Sequence, residues 1–467
     1  MPNFSLRDKV DEAEGGFAGE VDESAHLQDD NKGRRFLHAI VTAGCIYFLL
    51  RFASQQFLFH DLFTSWGTHH ASEEQFLPDK CLQESDWSLP RVQLPVDPMA
   101  PRLSAVDTFE SFATLNIPID SADRHLTTLV FISQHWPGTF RVITSPYQAN
   151  DSITFNVSAK YQAPEFLSTN FVDVCAPSSR RYAKGFMIFS RAPQAVANLK
   201  HLGKFDTTLI LPEPTKSNSE PLLFSELQSY AAHTDHFIAD VGSKVRFKSV
   251  FLKSRKSIEV ESLSADRIEI SSLGGPIRGT FNTTTGLALT TANSPILVNV
   301  NINNTGTFQS QTPYFTATTS NSPIKATISL FSRIAHPSFS VSGRSTNSPV
   351  ELTFKDAPLG SRLRATIDTT NSPGVINAHP TYEGTFTLRT TVMEPELNED
   401  LNVVDPSGQG RQRKFQYTLI NTGSISGKVY WGDDPTPPPP GLPRPYPQPG
   451  AEMILISTSN SPAVLNL

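Results

Sequence analysis

The clearest alternation of apolar and polar positions follows Pro323. Ile324, Ala326, Ile328 and Leu330 fall on one face, with Lys325 and Thr327 opposite. The pattern restarts after Pro349, with Val350, Leu352 and Phe354 on one face and Glu351 and Thr353 on the other. A period of two predicts half-buried β-strands. Both runs begin at the tripeptide Asn-Ser-Pro, which stands at Asn293, Asn321, Asn347, Asn371 and Asn460; the first four copies lie 28, 26 and 24 residues apart. Each residue of the tripeptide suits a corner. Asn tolerates a left-handed turn, Ser before Pro is pushed to extended geometry, and Pro is tolerated at the first residue of a strand. Gly274-Gly275-Pro276-Ile277 reads as a degenerate earlier copy, and Asn460-Ser461-Pro462 as the start of the last rung. A recurring corner followed by a recurring strand predicts stacked rungs, each covering the apolar side of the one before.

Upstream, LTTLVFISQ (126–134), TFRVITS (139–145), SITFNVSAKY (152–161) and KGFMIFS (184–190) are β-branched or aromatic runs bounded by turn residues. Residues 191–240 look less regular, with a short helix expected at Ser225–His233. From Val241 onward, strand-like runs recur about every ten residues with polar turns between them. The fold class expected is all-β: stacked strands of the β-solenoid or β-helix type, preceded by one transmembrane α-helix and a disordered N-terminal tail. The expected divisions are a disordered acidic tail (1–33), a membrane anchor (34–60), a Pro-rich stalk (61–101), a β-rich first part (102–240), the repeats (241–432), a proline-rich loop (433–450) and a final repeat strand (451–467).

Charge changes this picture at one end. The net charge of −6 is carried by residues 1–33, which hold 9 acids and 3 bases; the remaining residues are balanced. With no basic field over the strands, nucleic acid is not an expected partner. Phe36 to Leu50 is interrupted only by His38, and with Arg51 reaching toward the far interface the span extends to Phe59, 24 residues, long enough to cross a bilayer. Lys32, Arg34 and Arg35 precede it and Asp61, Glu73 and Glu74 follow, so the positive-inside rule puts the tail in the cytosol. The expectation is a type II single-pass membrane protein with its bulk lumenal or extracellular.

The apolar anchor, the Pro-rich stalk and segments such as DRIEISSLGGPIRGTF and LTTANSPILVNVNI resemble a family of fungal single-pass membrane proteins of unassigned activity. Their outer part is similar to adhesin-like β-solenoid domains. The resemblance spans about residues 240–400, more weakly 102–240, and implies a fold more than an activity. The long interval between Asn371 and Asn460 departs from a regular array.

Chemistry is sparse. Beyond the anchor, Cys81 and Cys175 either form one bridge, if that side is oxidising, or remain two free thiols. Asn150, Asn156, Asn282 and Asn303 head N-glycosylation acceptors; Asn3 does too, on the cytosolic side. Lys244, Arg246 and Lys248 alternate along one strand, as a patch for an anionic ligand or as a lysine-protected edge. His233 and His236 have loose metal-ligand spacing without an identifiable third ligand. Asp356 and Asp368 are the repeat region's candidates for a carboxylate pair. Phosphate-loop, H-E-x-x-H, G-x-S-x-G, C-x-x-C and Asp-x-Asp motifs are all absent from the sequence. The missing motifs favour a non-enzymatic interaction protein without a cofactor, of the adhesin-like type that the resemblance implies, whose partners are the membrane and glycans or cell-surface or wall proteins. The alternative is a carbohydrate-active enzyme of the secretory pathway: a polysaccharide lyase, a hydrolase or a Golgi glycosyltransferase.

Overall fold

The apolar face that begins at each Asn-Ser-Pro corner meets the same face of the next layer in register. Ile277, Ile296, Ile324, Val350, Gly374 and Ala463 are successive partners in parallel pairs. One step along, Val298, Ala326, Leu352, Ile376 and Leu465 form a second such row. All of these apolar side chains are buried, and full burial of one aliphatic side chain stabilises by about 1.5–3 kcal/mol. The computed structural model describes residues 78–467 except 90, 94–107, 121, 134, 163–165, 168–171, 178–182, 191–202, 215–219, 307–311, 401 and 433–451. The acidic tail, the expected anchor and the proline-rich loop lie outside the described residues. Among the described residues no helix is long and apolar enough to cross a membrane.

The described chain is all-β, with only short 3-10 turns as helix. Thr108–Pro118, Ser152–Tyr161 and Gly203–Pro212 pair antiparallel, and from Leu222 most strands form two ladders of parallel pairs. The first runs through Leu222–Ala231, Val245–Ser254, the second halves of Ile258–Ser272 and Ile277–Thr291, then Tyr314–Thr318, Ser338–Ser345 and Arg362–Thr369. The second runs through Thr234–Asp240, the first halves of the same two long strands, then Ile296–Asn304, Ile324–Ser332, Val350–Asp356 and Gly374–Asn377. Register shifts after Val260 and Ala265 mark where the long strand Ile258–Ser272 passes from one ladder to the other. The core lies between the ladders. A Cβ on Gly343 would come within 2.6 Å of Val350, and one on Gly374 within 2.7 Å of Ile367.

The layers are not stacked in chain order. Met453–Ser457 pairs with Arg362–Thr369 on one side and Gly384–Arg389 on the other. Ala463–Asn466 likewise lies between Gly374–Asn377 and Glu396–Asn398. The chain therefore lays down one layer beyond the gap, forms the antiparallel hairpin Arg413–Asn421 and Ser424–Trp431, and returns to fill it. This explains the long interval after Asn371 and corrects one expectation: the Asn460 rung is not the outermost layer. The other end is similar, because Thr128–Ser133 lies between Ala183–Ser190 and Leu222–Ala231.

Two further expectations change. The segment expected as a helix at Ser225–His233 is the strand Leu222–Ala231 followed by a turn. Parallel partners on both sides satisfy its backbone, and that outweighs the helix-like spacing of Leu227 and Ala231. Part of the expected stalk is sheet: Pro78–Cys81 pairs with Val172–Pro177, and Arg91–Gln93 with Thr108–Pro118. Cys81 and Cys175 are disulfide-bonded, which fixes the first of these pairs covalently.

Candidate functional site: an amide row and an arginine-lined cleft

A buried hydroxyl residue stands two places before the Asn of every Asn-Ser-Pro corner. Thr291, Thr319, Ser345, Thr369 and Thr458 occupy that position, and all are buried. The Oγ1 atoms of Thr291 and Thr369 each donate to the carbonyl of the corner serine at 2.5 Å, and Thr458 does the same to Ser461. The motif is thus hydroxyl-x-Asn-Ser-Pro. The missing donor of each proline is bypassed: Ile277, Ile296, Ile324 and Val350 donate their N–H groups to the carbonyls of Pro295, Pro323, Pro349 and Pro373 at 3.0–3.1 Å.

The corner asparagines form a single exposed row. Asn321 donates from Nδ2 to Oδ1 of Asn293 at 2.6 Å, Asn347 to Asn321 at 2.6 Å, Asn371 to Asn347 at 2.7 Å and Asn460 to Asn371 at 2.7 Å. A second row closes the far end of the other ladder. Asn377 donates to Thr353 Oγ1, Asn466 to Asn377, and Asn398 to Asn466 at 2.8 Å.

Where this second row ends, a cleft of about 360 Å³ opens, walled by Asn377, Asn398 and Asn466, by Glu399 and Asp400, and by Arg413. Arg413 is 7 % exposed, and its Nε and Nη2 are buried with no hydrogen-bond partner. Its guanidinium carbon stands 5.7 Å from the ring centroids of both Phe415 and Trp431. Burial lowers its pKa, against the nearby charge of Asp400. Glu399 is pushed up by desolvation. The approach to Arg413 is braced by Asp405, whose carboxylate accepts from Ser407 N at 2.9 Å and from Arg411 N and Nη2 at 3.0 and 3.1 Å. Arg411 and Ser407 hold that carboxyl well below the usual carboxylate range.

The residues singled out from the sequence are scattered by comparison. Lys244 Nζ lies 3.6 Å from Glu213, and Arg246 is paired with Asp266, while Lys248 is exposed. Two of the three cations thus carry acidic partners, and the strand is not a uniformly cationic face. Asn156 and Asn303 are exposed and Asn150 and Asn282 half-buried. Thr114 donates to Asn156 Oδ1 at 3.0 Å, and Asn301 to Asn282 Oδ1 at 2.7 Å. His236 is turned inward: its Nε2 meets Ser229 Oγ at 2.7 Å, its Nδ1 the Thr234 carbonyl at 3.1 Å, and its ring packs edge-on to Phe140. Desolvation pushes its pKa down to about 4. The pair resembles an activated serine, but both side chains are sealed in the core, and Asp235 bonds Ser257 instead. Asp356 accepts from Ser329 at 2.7 Å, and Asp368 pairs with Arg344 at 3.4 Å. Each is committed within its own layer neighbourhood. Among the described residues, no group of three or more His, Cys, Asp or Glu is arranged to hold a metal ion. Sequence reasoning missed the cleft, because its residues come from four separate segments.

No protein-family model matches the chain, and no curated protein matches it. Three solved structures are similar in part. A protein from Bacteroides fragilis, provisionally described as an adhesin, shares 11 % identity over 57 % of this chain and 96 % of its own, with a TM-score of 0.31. A provisional adhesin from Parabacteroides merdae shares 9 % identity over 56 % of this chain and 95 % of its own, with a TM-score of 0.22. A provisional cell adhesion protein from Clostridium sporogenes shares 5 % over 76 % and 98 %, with a TM-score of 0.15. Likeness at this level leaves function to the chain's own residues.

Proposed function

We propose that this chain is a single-pass, type II membrane protein displaying an adhesin-like β-solenoid on the lumenal or extracellular side. It acts by binding, not by catalysis, and its partners are glycans or proteins of a cell surface or wall. The observation that carries this reading is the unbroken exposed row from Asn293 to Asn460 above a continuous core. Such an array holds polar side chains at fixed spacing and low entropic cost, as a display scaffold requires. Several other features support it. The apolar span Phe36–Phe59 supplies an anchor. The Cys81–Cys175 bridge suits an oxidising compartment. Of the four acceptor asparagines beyond the anchor, Asn156 and Asn303 are exposed, as glycosylation there requires. The Ser229–His236 pair has no path to a substrate, and the carboxylates of Asp356 and Asp368 are separately engaged.

The test is to express the full-length protein with an N-terminal tag. Carbonate extraction and glycosidase treatment should find it membrane-bound and glycosylated. The purified chain should bind surface glycans or intact cells and leave polysaccharides uncleaved. An extractable, unglycosylated product removes the anchor. Turnover of any polysaccharide replaces the binding role with the carbohydrate-active enzyme.

A further inference from the structure

We infer that the cleft beside Arg413 is a saccharide site that takes one neutral, hydroxyl-rich sugar residue of a glycan. This inference rests on the binding role proposed above and names the place and chemistry of the contact.

The first support is an unmet need. A buried guanidinium N–H without an acceptor is costly. Nε and Nη2 of Arg413, which between them carry most of its N–H donors, have none. The two aromatic rings hold the group where it stands, so its donors are positioned before any ligand arrives.

The second support is the mixture of partners around it. Asn398, Asn466 and Asn377 end the amide row along one wall, and Glu399 and Asp400 stand exposed at the rim. The lining carries two carboxylates against one guanidinium, a balance that disfavours an anion. A hydroxyl both donates and accepts. Adjacent hydroxyls of one sugar ring can therefore accept from Arg413 while donating to Asp400 or Glu399, a pairing that neither a simple anion nor a cation satisfies. Ala378, Pro380 and Val403 supply an apolar surface for the C–H face of the ring. The volume of about 360 Å³ falls at the lower end of small-ligand sites.

Full-length protein in detergent, titrated with cellotetraose, chitotetraose, mannotetraose and tetragalacturonate, tests this. Trp431, seated against Arg413, provides an intrinsic fluorescence reporter alongside calorimetry. At least one neutral tetrasaccharide should bind, and the galacturonate should bind at least tenfold more weakly. Asp400→Asn and Arg413→Lys should each weaken the neutral sugar at least tenfold, while Lys248→Ser, on a distant strand, leaves it unchanged. If Arg413→Lys fails to fold by circular dichroism, Asp400→Asn and Glu399→Gln decide, because both side chains are exposed. The inference falls if no neutral tetrasaccharide binds, if the galacturonate binds more tightly, or if the well-folded cleft variants bind like wild type. In each case retained adhesion to cells would leave the broader binding role standing. Polysaccharide cleavage, by contrast, would overturn that role itself.

Discussion

Asn460 donates from Nδ2 to Oδ1 of Asn371 at 2.7 Å, although 89 residues separate them. The bond continues a row whose other members are 24 to 28 residues apart. The side-chain row therefore follows position in the stack and ignores distance along the chain. Replacing a central member, Asn347→Ala, leaves Asn321 and Asn371 each short of one partner on an exposed surface. The expected cost is about 1 kcal/mol, read as a lower urea midpoint with an unchanged denaturant slope.

The buried hydroxyl behind each corner should matter at least as much. Thr369→Val keeps the shape but strands the Ser372 carbonyl that now receives its proton at 2.5 Å. A loss of about 1–3 kcal/mol is expected. Thr369→Ser should restore most of it, and urea denaturation of the three proteins side by side checks the ordering.

Gly374 tests the filling of the gap by Met453–Ser457. A Cβ there would stand 2.7 Å from the Ile367 Cγ2 methyl of its own layer and 3.0 Å from that of Ile456 in the layer that fills the gap. Gly374→Ala should destabilise by about 1–3 kcal/mol through overpacking. Pairing it with Ile367→Leu, which removes the crowded Cγ2 branch, should recover part of the loss, measured as a thermal midpoint.

The disulfide joins residues 94 positions apart in sequence. Removing both thiols, Cys81→Ser with Cys175→Ser, should cost on the order of 3–5 kcal/mol by releasing a long closed loop in the unfolded chain. Reductant should lower the melting temperature of wild type and leave that of the double variant unmoved.

His236 gives a pH dependence of definite sign. Its folded pKa is pushed down to about 4 by desolvation, from an ordinary 6.5. The groups around it are Ser229, the Thr234 carbonyl, the Phe140 ring and the nearby Asp235 carboxylate, whose charge only partly offsets the burial. As pH falls below 6.5 the unfolded chain takes the proton first. The stabilisation is therefore complete above that value and is lost progressively down to about 4, a change of about 3 kcal/mol. Stability profiles of wild type and His236→Asn should converge in acid, with the variant flatter between pH 7 and pH 4.

The repeat region was legible in the sequence because its physics is local. Ile324, Ala326, Ile328 and Leu330 alternate with polar residues, and each of the four is buried. The Asn-Ser-Pro corner declares its own geometry. The helix expected at Ser225–His233 failed for the opposite reason: a segment with Leu227 and Ala231 four apart is decided by the strands that flank it, and those come from residues 128–133 and 245–253. The cleft was illegible for a similar reason. Asn398, Arg413 and Asn466 become neighbours only because the chain passes over a layer and returns, and no periodicity records that detour. The hydroxyl clamp was present in plain view as Thr or Ser two places before each Asn, but burial is what gives it meaning.

A ribosome delivers Gly384–Arg389 before Met453–Ser457 exists. Until the later strand emerges, the earlier one has no parallel neighbour on its inward side. A nascent chain at that stage presents two open sheet edges, one on Arg362–Thr369 and one on Gly384–Arg389, each able to pair with the wrong strand. Closure of this end of the molecule is thus timed by translation, and it is the moment at which a chaperone would have most to protect.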